Sequence, residues 1–469
     1  MQRLNRAMMT RYEIPDRRPS SITAVQFGYS EALLGVADRL LEAVGIACVA
    51  PEGADADRAR LLAGQDGMYT LLIRGYRGET PVKEEYVAQC LLRVIDDDAG
   101  LTALAALPEL GLALIDALSP TLTAELPRAA RLLVERRRLG LPGLDFICLG
   151  QSARAGELTQ RALSALAGEF GAGPDFGEWL DSACAFHPAL AEGLAFRADA
   201  KQAARQCAEM NYADGMLHLA EPFARLTVQT DPERLRRWLP DSAKGVRAVN
   251  DLAPTLELKR RLYDGGLFAM AAPGWLLGLN TLADCMKHER LRAFVGRTFY
   301  DELLPGAGDR AAAAEYAIEC FGRFENPLGG FGILQAARPL LGRFAGGALP
   351  AMRAWADENF EPPRGLSYAL AATIMLYAGA RPGPDHRYTV ARGQQTEPLD
   401  DDPAALAIFS TLSHDMPPEQ LAYAALADRE LWNGADLRDI DGLEQRVALD
   451  IARLQREPGW VPEAEQGEG

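Results

Sequence analysis

Histidine is scarce in this sequence, with five residues in 469, at positions 187, 218, 288, 386 and 414. None lies four residues from another and none sits in an HExxH, so a metal site has no support. The seven cysteines (48, 90, 148, 184, 207, 285 and 320) are far apart, with no CxxC and no Cys/His ligand spacing. An odd, scattered set in a long chain reads as reduced thiols in the cytoplasm. Cys148, in an apolar run without a histidine partner, reads as a core residue. Long apolar runs are missing too. The richest, residues 101–118, is broken by Pro108 and Glu109, and the N-terminal segment has charges but no apolar core, so neither a membrane span nor a signal peptide is expected. Positive charge is in deficit: Lys and Arg number 49 against 65 Asp and Glu, a formal net charge of −16. No basic patch or Lys/Arg stripe with interleaved aromatics appears, which opposes a nucleic-acid partner. The short acidic runs Asp96–Asp98 and Asp400–Asp402 read as solubility. GxSxG and Walker motifs are absent as well.

What is present is a chain too long for one hydrophobic core, so two domains are expected. In the first half, apolar runs at 22–27, 46–49, 68–74, 111–118 and 144–150 read as strands. Segments at 83–95, 101–107, 124–139 and 157–170 read as helices. That alternation predicts an α/β, Rossmann-type, doubly wound parallel sheet. After residue 255 the pattern is helix after helix, with Pro and Gly between, which predicts an all-α second domain. The expected domains are 1–240 and 241–460, with 461–469 a polar, disordered tail.

Three stretches carry candidate chemistry. In QFGYSEALLG, Gly28 ends a strand where a dinucleotide-binding turn would sit, with Ser30 where the second glycine of such a turn belongs. An ordinary strand–helix turn explains the same residues equally well. Asp66, in QDGMYTLLIRG, either hydrogen-bonds a cofactor ribose and favours NAD over NADP, or is a turn aspartate before Gly67. The third is Lys259 in VNDLAPTLELK, followed by Asp264 and Leu267. On an α-helix these three fall within roughly 140° of one face. Such a lysine is either a general base toward an alcohol or a side chain that snorkels or pairs with Asp264, Glu257 or Asp251.

These residues, with YADGMLHLAEPF (212–223), LRAFVGRTFYDELLP (291–305), GRFENP (322–327) and LSYALAATIMLYAG (366–379), resemble the long-chain mannitol dehydrogenase family, and within it the tagaturonate reductases (altronate oxidoreductases). The resemblance implies a Rossmann domain, a helical domain and an active site in the cleft between them. It implies hydride transfer between NAD and a secondary alcohol of an open-chain polyol or sugar acid, with no metal. Lys259 then falls on the family's catalytic lysine, Asp264 on its partner asparagine, Leu267 on a substrate-contacting histidine, and Arg343 on a substrate-side lysine. In the nucleotide turn Ser30 replaces a glycine and Leu34 an arginine. The polar run after the next strand reads Ile115-Asp116-Ala117-Leu118-Ser119, a second loop reads Cys148-Leu149-Gly150-Gln151, and a Val-Asp-Arg motif reads Ala191-Glu192-Gly193. A carboxylate beside Lys259 favours its ammonium form, and losing a preorganised donor costs on the order of 10²–10³ in rate. Two readings follow. One is an NAD-dependent polyol or hexuronate dehydrogenase with Lys259 as base, Asp264 and Arg343 at the substrate, and Gly28, Ser30 and Asp66 at the cofactor. The other is a catalytically degraded homologue that binds a sugar acid, a nucleotide or a protein.

Overall fold

A computed structural model describes every residue except 52–55, 118–121, 240–243, 328, 384–386 and 464–469. The chain divides into two units, Met1–Leu256 and Glu257–Gly469. The expected boundary at 240/241 lies outside the described residues.

The first unit carries β1 (Ala24–Phe27), β2 (Ile46–Val49), β3 (Tyr69–Arg77), β4 (Thr80–Ala88), β5 (Leu91–Ile95), β6 (Leu112–Asp116), β7 (Asp145–Leu149), β8 (Ala185–Glu192), β9 (Ala195–Arg197), β10 (His218–Ala220), β11 (Arg225–Gln229) and β12 (Val246–Val249). Eight of them form one sheet in the order β12-β11-β8-β7-β6-β1-β2-β5. The six from β8 to β5 run parallel, while β11 joins antiparallel to β8 and β12 parallel to β11. Every residue of β1, β2, β6 and β7 is buried, as befits strands covered on both faces. Their side chains alternate between two cores. Ala24, Ile46, Cys48, Leu112 and Leu114 enter one, and Val25, Phe27, Ala47, Val49, Ala113 and Ile115 the other. The order of the parallel strands reverses between β1 and β6, which opens a crevice at the carboxyl ends of those two strands.

Residues 83–95 are not helical. β4 pairs antiparallel with β3 along its full length, and β5 is the edge of the large sheet. Pairing with a hydrophobic neighbour overrides the helix propensity of the Lys-Glu-Glu run. β3 and β4 belong to a second, four-stranded sheet ordered β9-β10-β3-β4. Among the helices, α1 (Leu122–Arg138) follows β6 and lines one face of the large sheet.

The second unit is mostly helical. Its centre is a continuous run: α2 (Ala253–Leu258), whose last residues open this unit, then a π-helical turn (Lys259–Asp264), then α3 (Gly265–Leu276). Residues 265–275 of α3 are all buried, the pattern of a helix enclosed on every side. It packs on α4 (Arg364–Tyr377). The unit is not wholly helical, because β13 (Tyr388–Arg392) and β14 (Gln395–Leu399) form a hairpin turned by Gly393 at φ +61°. The tail is ordered further than expected: Val461 is buried, and the carbonyl of Pro462 accepts from Arg297 at 3.1 Å. Residues 464–469 lie outside the described ones. The acidic runs do more than solubilise. Asp97 and Asp402 cap helix N-termini, Asp98 pairs with Arg131, and Asp401 accepts from the Leu341 N–H and the Tyr377 hydroxyl.

Glu302 ties α4 down by accepting the N–H groups of Gly365 and Leu366 at 2.7 and 2.8 Å. Burial outweighs these two bonds and pushes its carboxyl up to about 7. The folded chain therefore keeps a proton that the unfolded chain releases from about pH 4.5 upward. Its stabilising share is complete below that pH and is lost as pH rises through 7. Glu302→Gln should flatten this dependence, changing the wild-type/variant stability difference by up to about 3 kcal/mol between pH 4 and 8. Denaturant midpoints across that range test it, and parallel profiles would refute it.

Candidate active site

In the first unit, β1 ends at Phe27 and the chain turns at Gly28 with φ +80°. That is left-handed space where a Cβ is strained, and here a Cβ would also collide with the carboxylate of Glu125. Glu125 comes from the first turn of α1 and is 1% exposed. The Gly28 N–H donates to the Val49 carbonyl at 2.9 Å, tying the turn to the end of β2. Ser30 caps the helix that starts at Glu31, its Oγ accepting the Leu33 N–H at 3.3 Å. Leu34 is fully buried in the core beneath. Asp116, at the end of β6, is 6% exposed, and Leu118 and Ser119 lie outside the described residues.

Asp66 is not at this crevice. It sits before β3, in the second sheet, with φ +55°, and its carboxylate accepts the Arg6 N–H at 3.0 Å. An intervening helix, Ala56–Ala63, separates it from the end of β2, so its place is that of the turn aspartate. The inference from Asp66 to NAD over NADP falls with it.

In the second unit, Lys259 and Asp264 open and close the π-helical turn. On an α-helix, residues five apart diverge by roughly 140°, but a π-turn has i→i+5 hydrogen bonding and stacks them. The Gly265 N–H accordingly reaches back to the Arg260 carbonyl. Gly347 stands against that carbonyl so closely that a Cβ would overlap it. The result is a contact that α-helical spacing denies: Lys259 Nζ donates to Asp264 Oδ2 at 2.8 Å. Lys259 is 8% and Asp264 2% exposed.

The other oxygen of Asp264 accepts from Arg343 Nη1. Arg343 also donates through Nε to the Ala337 carbonyl, and through Nη2 to the carbonyls of Ala336 and Arg338. Four bonds thus engage a guanidinium with five N–H groups. Arg343 clamps Asp264, and Asp264 clamps Lys259. The segment that carries Arg343 is anchored in turn by Asp401 through the Leu341 N–H. Burial raises the Asp401 carboxyl above the usual range, although the Tyr377 hydroxyl that donates to it pulls in the opposite direction. Leu267 is fully buried in α3 and offers no polar atom. Two further residues escape a reading based on spacing: Tyr263, within the turn, is 3% exposed, and the Arg323 guanidinium of GRFENP lies 3.9 Å from its ring centre.

No family model matches the chain. The altronate oxidoreductase of Klebsiella pneumoniae is 28% identical over 491 aligned residues, covering 96% of this chain and 97% of the relative. That of Bacillus subtilis is 24% identical, covering 97% and 96%. Among solved structures, Pseudomonas fluorescens mannitol 2-dehydrogenase, in a ternary complex with NAD and D-mannitol, superposes with a TM-score of 0.74 at 15% identity, over 98% of each chain. The resemblance to the mannitol dehydrogenase family runs the full length of the chain. A substrate-free D-sorbitol dehydrogenase shares the fold too, with a TM-score of 0.68 at 16% identity, over 98% of this chain and 99% of the other. A Rossmann-type sheet followed by a helical unit is the architecture shared with both dehydrogenases.

Proposed function

We propose that this protein is an oxidoreductase that interconverts a secondary alcohol and the ketone of an open-chain polyol or sugar acid, using a nicotinamide cofactor. The observation that carries this reading is Lys259, a buried ammonium held at 2.8 Å by a carboxylate on a π-helical turn. Most lysines are solvated; one kept buried by a dedicated clamp is placed for proton transfer. Full-length similarity to altronate oxidoreductases supports the substrate class.

Within the first unit, the fit to a dinucleotide rests on Gly28. The left-handed turn at the carboxyl end of a central parallel strand, next to the reversal of strand order, is the backbone that a pyrophosphate approaches. Gly28 and Ser30 are the residues that would hold it. The cofactor would supply the hydride or accept it, and NAD is the form seen in the mannitol 2-dehydrogenase complex. Lys259 holds the proton in its ammonium form and donates it to the substrate oxygen as a ketone becomes an alcohol. In the reverse direction it accepts that proton. Oxidation needs the neutral amine and reduction the ammonium, so the two directions should favour opposite ends of the pH range. The seven cysteines are free thiols, in keeping with a cytoplasmic setting.

The test is a screen of altronate, mannonate and mannitol with NAD, and of the corresponding keto forms with NADH, followed at the nicotinamide absorbance band. Turnover of at least one is expected. Absence of turnover, together with no nucleotide binding at millimolar concentration, would overturn the reading.

A further inference from the structure

We propose that Asp38, as a neutral acid, is a positioning residue that holds the Gly28 turn in the shape a dinucleotide needs, a proposal that rests on the oxidoreductase reading above. Asp38 is fully buried, on the helix that starts at Glu31 and just past its π-helical turn Leu33–Ala37. Counting hydrogens gives its charge state. The Tyr69 hydroxyl lies 2.6 Å from the Leu34 carbonyl and 3.0 Å from Asp38 Oδ2. It has one hydrogen for these two oxygens, and a carbonyl cannot donate. With that hydrogen on the closer Leu34 oxygen, the bond to Asp38 needs a hydrogen on the carboxyl. Oδ1, the other carboxyl oxygen, accepts no hydrogen bond among the described residues. Burial acts in the same direction and pushes this carboxyl up to about 7. The titratable groups around it bring no positive charge. Tyr69 on β3, Cys48 on β2 and Cys90 between β4 and β5 are all raised by burial, and His218, packed on the Tyr69 ring, is lowered to about 4. Gln26 on β1 links Asp38 to the turn. Its amide lies against the Asp38 carboxyl, and its Nε2 donates to the Gly28 carbonyl at 3.1 Å, where the Cys48 thiol also donates at 3.3 Å.

Loss of the proton undoes this arrangement. A carboxylate would claim the Tyr69 hydrogen and draw the Gln26 amide from Gly28, because a charged acceptor binds a donor more strongly than a carbonyl does. The turn is therefore fully held at low pH and released as the pH rises through about 7. With NADH as the probe, followed by calorimetry or by quenching of tryptophan fluorescence, wild-type affinity should fall roughly tenfold or more between pH 6.5 and 9, in proportion to the protonated fraction. Asp38→Asn keeps a neutral donor that cannot titrate, so it should match the wild type at pH 6.5 and hold that affinity to pH 9. Gln26→Met cuts the link to Gly28 and should bind NADH more weakly already at pH 6.5. It provides the second variant if the asparagine form does not fold, as far-ultraviolet circular dichroism will show. A wild-type affinity that does not fall, or an equal fall in Asp38→Asn, would overturn the proposal and leave the oxidoreductase reading standing. A denaturant midpoint that falls with pH at constant NADH affinity would overturn it too, since Asp38 would then serve stability alone. Absence of NADH binding by every form at millimolar concentration would remove the oxidoreductase reading, and this proposal with it.

Discussion

Lys259→Ala is expected to lower turnover of any substrate found in the screen by roughly 10²–10⁴-fold, the usual share of a positioned acid–base group. The loss should appear in kcat, with KM little changed, because the ammonium acts on the oxygen whose charge changes during the reaction. A small primary amine added to the variant should restore part of the rate. The fold should survive, since Asp264 keeps its bond to Arg343 when the lysine is removed. Undiminished turnover in the alanine variant would place the chemistry elsewhere and remove the central argument for this site.

The second large effect belongs to Arg343, and it is an effect on stability. Arg343→Met leaves Asp264, 2% exposed, with Lys259 as its remaining ion-pair partner. It also strips a donor from the carbonyls of Ala336, Ala337 and Arg338. Removing one member of a buried ionic cluster costs about 3–5 kcal/mol, so the denaturant midpoint should fall accordingly. Arg343→Lys should recover little of the loss, because an ammonium cannot reproduce the planar fork that reaches four acceptors. A substrate-binding arginine would behave in the opposite way, with KM raised and the midpoint unchanged. That result would return Arg343 to the role its family position implies and refute the clamp.

The two halves of the molecule differ in how far they can be read from sequence. Strands β1, β2, β6 and β7 are legible because burial on both faces demands continuous apolar runs, which local composition records. Helices of the second unit are legible for the same reason, through Pro and Gly at their ends. β4 is not, because Lys83, Glu84 and Glu85 carry helix propensity, and only pairing with β3 makes them a strand. Asp66 misleads in a similar way: it lies between a helix and a strand in sequence, yet that strand belongs to the other sheet.

The sequence by itself determined that Lys259 is followed by Asp264 and the apolar Leu267, since identity and spacing are local properties, and its family resemblance made Lys259 the candidate base. It also determined that Gly28 closes a strand. Only the tertiary structure decided that Lys259 and Asp264 touch, because that contact requires a π-turn with Gly347 packed against its Arg260 carbonyl. Only the tertiary structure put Arg343, 79 residues further along the chain, in contact with Asp264, and set the Glu125 carboxylate on Gly28. Spacing along a chain fixes which faces residues share; the partners they meet are fixed by packing between segments that the sequence keeps far apart.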